Sequence, residues 1–192
     1  MERLKQALSQ RPKCRIVDAR LAPSAVLLPL LHKKGEYHIL FTRRTETVQY
    51  HKGQISFPGG AYEAADGTLL NTALRECAEE IGLAPEVVEV LGELDDTPTV
   101  TSGYIISPFV GVVLEERPLT LHPPETEEIL EIPVSALLAK DCLRPRVDVV
   151  NGREVTTYAY HCGSNVIWGA TARILGQFLE VFARAAENKA ER

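Results

Sequence analysis

Apolar and polar positions recur along this chain with two different periods. Near the N-terminus Leu4, Ala7 and Leu8 lie at helical spacing, and Pro12 closes that pattern. Residues 25–31 (AVLLPLL) and 37–41 (YHILF) are apolar and strand-like, and the turn-like Lys33-Lys34-Gly35-Glu36 between them predicts a hairpin. Residues 72–81 return to a helical period, ended by Gly82, a residue suited to the left-handed position after a helix. Strands are expected over 87–94 and 105–114, a short helix over 133–140 and another strand over 155–160. From Trp168 the pattern is that of a long amphipathic helix with Leu175, Phe178, Leu179 and Phe182 inward. Strands and helices are mixed without the regular alternation of a doubly wound sheet. With no repeat, low-complexity tract or dividing linker, residues 1–192 are expected to form one α/β domain.

Composition narrows the class of partner. The chain has 45% hydrophobic and 24% charged residues, ordinary for a soluble domain, and its apolar runs fall far short of the ~20 residues that a membrane span requires. No membrane partner is expected. The charged start Met1-Glu2-Arg3-Leu4-Lys5-Gln6 leads into no apolar signal core, so the expected location is cytoplasmic. The cysteines Cys14, Cys77, Cys142 and Cys162 are far apart and form no Cys-x-x-Cys pair, and they read as reduced, mostly structural thiols. A net charge of -5 argues against nucleic acid as a partner. A polyanionic small-molecule substrate would then need local cations or a metal. A homodimer is compatible with the sequence.

The candidate chemistry sits on the helix expected over 72–81. At about 100° per residue, Leu74, Cys77, Ala78 and Ile81 share one side, and Glu76, Glu79 and Glu80 occupy an arc on the opposite side. Like charges at these spacings repel by roughly 0.2–0.5 kcal/mol per pair unless a cation sits among them. Mg²⁺, with Mn²⁺ as the alternative, is the natural candidate, since it prefers carboxylate oxygens, keeps waters and engages substrate phosphates. The other reading is a solvated acidic face.

The string Arg75-Glu76-Cys77-Ala78-Glu79-Glu80-Ile81-Gly82-Leu83, preceded by Pro58-Gly59-Gly60, resembles the Nudix box, Gly-x5-Glu-x7-Arg-Glu-U-x-Glu-Glu-x-Gly-U with U apolar. The helical half matches throughout, allowing Cys77 as U. The loop half departs from it. Counting back from Arg75 places Ala61 and Gly67 at the Gly and Glu positions, and counting forward from Gly60 places Asp66 at the glutamate, so the loop carries one extra residue. Asp66 and Glu63 are both candidates for the first acidic position.

Leu40-Phe41-Thr42-Arg43-Arg44-Thr45, followed by His51-Lys52-Gly53-Gln54-Ile55-Ser56-Phe57-Pro58-Gly59-Gly60, resembles the accessory motif of the coenzyme A diphosphatase branch of that family. Thr45 stands where Ser or Ala is usual, and Gln49 replaces an arginine that could pair a phosphate bidentately. Further stretches, 99–111, 125–133 and 167–175, are similar to the same branch.

The resemblance implies an α/β/α sandwich with a mixed central sheet. It also implies cleavage of coenzyme A or a derivative at its diphosphate, giving 3',5'-ADP and 4'-phosphopantetheine. Glu76 and Glu80 would be the principal metal ligands, with Glu79 completing the set or acting as base and Arg75 orienting a carboxylate. Arg44, His51, Gly59 and Gly60 would contact substrate, the glycines by close backbone approach to phosphate or merely as a tight turn. Arg43 and Lys52 cluster with Arg44 in sequence. Glu125, Glu127 and Glu128 form a second acidic group, read either as the source of the general base or as a solvated acidic face. Trp168 is expected to be a core anchor of the last helix and Cys77 a packing residue. The alternatives are a diphosphatase for a dinucleotide, ADP-ribose or nucleotide sugar, and a non-catalytic nucleotide-binding module.

Overall fold

The computed structural model describes residues 1–45, 53–115, 117–121, 126–150 and 152–187. The strands in chain order are β1 (Ala22–Lys33), β2 (Glu36–Arg44), β3 (Ile55–Ser56), β4 (Gly59–Ala61), β5 (Val88–Glu93), β6 (Thr97–Pro98), β7 (Tyr104–Val113), β8 (Thr126–Pro133), β9 (Leu143–Val150), β10 (Arg153–Cys162) and β11 (Asn165–Ile167). The helices are α1 (Glu2–Gln10), α2 (Leu69–Ile81), α3 (Val134–Leu137) and α4 (Gly169–Glu187). The expected hairpin is β1–β2, closed by Lys34 and Gly35, whose φ of 54° and 84° are the positive values that a two-residue hairpin turn requires at both positions.

The main sheet is mixed, in the order β3-β2-β1-β7-β5, with β1 and β7 parallel and the other pairs antiparallel. β1 is buried on both faces, which explains why 25–31 read as a continuous apolar run rather than an alternating one. Its alternation is visible only in what each residue meets. Ala25, Leu27 and Leu31 pack with Ala73, Cys77 and Ile81 of α2, whereas Leu28 and Leu30 pack with Leu4 and Leu8 of α1 and Leu175, Phe178 and Leu179 of α4. Helices therefore cover both faces of a mixed sheet, the expected α/β/α sandwich.

The site is positioned by a fork in this sheet. β1 and β2 pair only from Leu30 and Ile39 towards their turn. Beyond that point β1 pairs with β4 through Ser24, Ala25 and Val26, and β2 pairs with β3 through Thr42 and Arg43. The segment carrying Phe57-Pro58-Gly59-Gly60 fills the fork, and α2 packs across β1 and β4.

The structure corrects one expectation, that for Trp168, and adds two features. β9 escaped the sequence reading because Arg144, Pro145, Arg146 and Asp148 obscure any apolar alternation; its pairing with β10 supplies the strand. Trp168 is half-buried and not in the core. Its ring carries the Arg146 guanidinium 4.3 Å from the centroid, while the neighbouring Ile167 is the buried residue. Cys142 and Cys162, far apart in sequence, are brought to an Sγ–Sγ distance of 2.9 Å by the β9–β10 hairpin. All four cysteines are free thiols. Among the described residues, no helix is long and apolar enough to cross a membrane.

Candidate active site

α2 starts three residues earlier than its apolar period suggested, because Thr68 caps it: the Thr68 hydroxyl accepts from the Asn71 backbone N–H at 3.1 Å. At the other end Gly82 adopts φ 69° and ψ 17°, the left-handed conformation, and its N–H donates to the Ala78 carbonyl. The helix is thus fixed at both ends against a sheet that reaches Ala73, Cys77 and Ile81.

The three glutamates of α2 are graded in exposure rather than gathered on one solvent arc. The Glu79 side chain is 60% exposed, Glu76 19%, and Glu80 as a whole residue only 8%. The reason lies in the helical period. Seven residues advance a helix by almost two full turns, so Glu80 lies within about 20° of the buried Ala73. Cys77, beside it, is wholly buried; burial first, and then the Glu80 charge, pushes its thiol far up, which makes it inert packing as expected.

Arg75 organises the carboxylates. Its Nε and Nη2 donate to Asp66 Oδ1 and Oδ2 at 2.7 and 3.1 Å, a bidentate fork. Nη1 donates to Glu76 Oε1 at 2.9 Å and to Glu79 Oε2 at 3.0 Å, and Nη2 reaches the Ala61 carbonyl at 3.3 Å. Between the two loop candidates, Asp66 is the residue that meets Arg75. Asp66 also accepts from the Thr72 hydroxyl at 2.8 Å and the Glu63 backbone N–H at 3.0 Å. The Arg75 guanidinium holds the Asp66 carboxyl well below the usual carboxylate range against an opposing burial effect, with Glu63 and Thr72 helping. Asp66 raises Arg75 in return. The loop before α2 holds a 3-10 turn, Ala64–Asp66, that ends on Asp66. Thr72 was missed because its position within an apolar period hid a polar contact to the preceding loop.

Gly59 and Gly60 form β4 rather than a tight turn, and each lacks a side chain for a different reason. A Cβ on Gly59 would lie 2.3 Å from the Ala25 carbonyl oxygen, so that glycine is demanded by packing against β1. A Cβ on Gly60 would lie 2.4 Å from Glu76 Oε1, so that glycine lets the carboxylate rest against the strand. Phe57, just before them, is buried and stacks on Phe41 at 4.8 Å between centroids.

The candidate cations separate by face. The pairing of Thr42 with Ile129 and Leu40 with Glu131 sets the even positions of β2 on the side covered by α2, and Arg44 follows them by alternation. Arg43 follows Ile39 and Phe41 on the other side, where its Nε donates to Glu128 at 2.9 Å and its Nη2 to Asn165 at 2.6 Å. Arg43 therefore does not join Arg44, and Glu128 is already engaged with it. Glu127 and Glu128 are both exposed residues of β8 opposite Arg43 and Arg44, where the ladder register shifts. His51, Lys52, Gln49 and Glu125 lie outside the described residues.

A cavity of about 510 Å³ opens on the α2 side, floored by Leu31, Leu40 and Ile129 and walled by Leu83, Val113 and Leu119, with Arg117 and Glu131 among its lining. It begins beyond the C-terminal end of α2, with Leu83 three residues after Glu80.

The donor set suits a hard divalent ion. Among the described residues no three His, Cys, Asp or Glu side chains close into a metal cage. Mg²⁺ does not need one, since it is commonly held by one or two carboxylates plus waters and substrate phosphates. Glu76 and the buried Glu80, one turn apart on α2, are the two carboxylates that could hold such an ion.

The profile of the NUDIX domain matches residues 21–150. A Photorhabdus laumondii protein described as the uncharacterized Nudix hydrolase NudL is 34% identical over 157 residues, 82% of this chain and 83% of that one. A Klebsiella pneumoniae protein of the same description is 31% identical over 180 residues, 93% and 92% of the two chains. Among solved structures, a MutT/nudix family protein from Enterococcus faecalis superposes with a TM-score of 0.58 at 15% identity, covering 97% of this chain and 69% of the other. At that identity the likeness concerns the fold, and it agrees with the mixed sheet between helices. The domain match over more than half of the residues, together with these relatives, shows that the chain belongs to the Nudix family.

Proposed function

We propose that this protein is a Mg²⁺-dependent diphosphatase that cleaves coenzyme A or a derivative to 3',5'-ADP and 4'-phosphopantetheine. The observation that carries the hydrolytic reading is the Arg75 junction, in which one guanidinium anchored on Asp66 sets the carboxylates of both Glu76 and Glu79. Family membership supports it. The coenzyme A reading rests on the accessory motif around Arg44 and 51–60.

Each side chain has a definite task. Glu76 and Glu80 would hold the ion, which when bound neutralises the diphosphate and activates water for in-line attack at phosphorus. Glu79, the most exposed of the three, would take the proton of the attacking water. Arg75 keeps Glu76 and Glu79 in fixed rotamers, so little reorganisation is needed during reaction. Arg44, on the α2 side of β2, offers a guanidinium for the substrate's 3'-phosphate. The cavity beyond α2, with mostly apolar walls, has room for part of the pantetheine arm.

The test is hydrolysis of coenzyme A with Mg²⁺ by wild type, Glu76→Gln and Glu80→Gln. Each variant keeps side-chain size and loses an anionic ligand, so turnover should fall by orders of magnitude at subsaturating Mg²⁺ with the fold intact. Near wild-type rates in both variants would refute the metal assignment.

A further inference from the structure

The hairpin that packs beneath α4 places two thiols in contact. β9 and β10 pair in antiparallel register from Arg153 with Val150 to Tyr160 with Leu143, and the His161 N–H donates to the Cys142 carbonyl at 2.7 Å. Cys142, in the turn just before β9, accepts in this contact, Cys162 ends β10 directly after His161, and the two sulfurs approach to 2.9 Å. Cys142 is buried and Cys162 half-buried, so one member of the pair is open to a small solute and the other is shielded behind it. The remaining cysteines lack this arrangement: Cys14 is exposed on the N-terminal segment and Cys77 is enclosed under α2.

We propose that Cys142 and Cys162 are a modification site, a thiol pair that a peroxide converts to a reversible intramolecular disulfide. The accessible Cys162 sulfur attacks the peroxide O–O bond, taking one oxygen to become a sulfenic acid while the other leaves as water or alcohol. The Cys142 sulfur then attacks the Cys162 sulfur, the S–O bond breaks, and water leaves with the proton of Cys142. Overall two thiols lose two protons and two electrons to one peroxide, giving one disulfide, one water and a second water or an alcohol. Burial, with the neighbouring Cys142, pushes the Cys162 thiol up to about 12, so thiolate is scarce at neutral pH and the first step is slow. The second step is fast because the resolving sulfur is already in contact. The bond closes a segment with a residue separation of 20 containing β9 and β10. It also ties the base of that hairpin to the turn leading to Asn165, the residue that accepts from Arg43.

The experiment treats the full chain, reduced and desalted, with hydrogen peroxide, then blocks free thiols and maps tryptic peptides by mass spectrometry. The expected product is a linked peptide pair containing Cys142 and Cys162, lost on treatment with dithiothreitol. The oxidised protein should melt roughly 5–10 °C higher than the reduced one, as expected for closing a loop of this length. Cys162→Ser, at the less buried position, should abolish both the link and the oxidant-dependent rise in melting temperature. The proposal is overturned if peroxide leaves Cys142 free to be blocked while Cys162 gathers oxygen, or if the linked peptides join Cys14 or Cys77 instead.

Discussion

Gly60 and Glu76 are packed so closely that the smallest side chain at residue 60 would overlap the carboxylate, with 2.4 Å between Cβ and Oε1. Gly60→Ala should therefore displace Glu76 from β4 while leaving the sheet in place, because the substituted methyl meets only that side chain among its nearest atoms. If Glu76 holds the ion as proposed, a displacement of about 1 Å costs on the order of a hundredfold in rate. The check is kcat at saturating Mg²⁺ together with the thermal midpoint. A loss of turnover with little change in melting is the expected outcome. Gly59→Ala should instead lower the melting temperature, since its Cβ would meet the backbone of β1.

Asp66 should act through Arg75 rather than on substrate. In Asp66→Asn one oxygen that accepts from Arg75 becomes an N–H donor facing a donor, so the bidentate fork is lost and Arg75 is free to leave Glu76 and Glu79. kcat should fall with little change in KM for the substrate, and the apparent Mg²⁺ affinity should fall with it. An unchanged metal titration would show that Asp66 merely closes the loop.

These two relationships mark how far the sequence carried. The apolar periods located α1, the β1–β2 hairpin, α2 and α4 because each buries a regular stripe or an unbroken run. They did not show that Glu80 belongs with the buried residues, since the sequence alone does not say how wide an arc the sheet covers. Nor did they separate Asp66 from Glu63, a choice made by the 3-10 turn that aims Asp66 at Arg75. Arg43 and Arg44 were separable in principle, because adjacent residues of a strand face opposite ways. The contact between Cys142 and Cys162 was not, because it depends on a strand whose sequence has no clear period.

Asp96 provides a stability prediction away from the site. Its carboxylate joins the N-terminal segment to the sheet through the Lys13 ammonium at 3.1 Å, the Ser107 hydroxyl at 2.7 Å and the Ile16 N–H at 3.0 Å. Burial works against its charge, but the Ser107, Ile16 and Lys13 contacts prevail and the folded pKa is lowered. The stabilisation is therefore complete above the ordinary carboxylate pKa of about 4 and is lost as pH falls through the lowered folded value. Asp96→Asn should cost about 1–2 kcal/mol at neutral pH, and the gap to wild type should narrow on acidification below pH of about 4. Thermal melts of both proteins from pH 7 downwards check this; a gap independent of pH would remove the charge from the account.

The central claim concerns which phosphoanhydride is cut. Coenzyme A, 3'-dephospho-coenzyme A, NADH, ADP-ribose and a diadenosine polyphosphate all present a bond that a metal site can recognise, so selectivity must arise from groups contacting the rest of the molecule. A charge-assisted hydrogen bond from Arg44 to the 3'-phosphate is worth roughly 1.5–3 kcal/mol, about ten- to a hundredfold in rate ratio. The most direct measurement is competition among these five substrates with Mg²⁺, read by mass spectrometry, in wild type and Arg44→Ala. The expected result is 3',5'-ADP and 4'-phosphopantetheine as the dominant products, with the preference over the 3'-dephospho form eroded in Arg44→Ala. Equal rates on coenzyme A and its 3'-dephospho form, or faster cleavage of NADH or ADP-ribose, would contradict it.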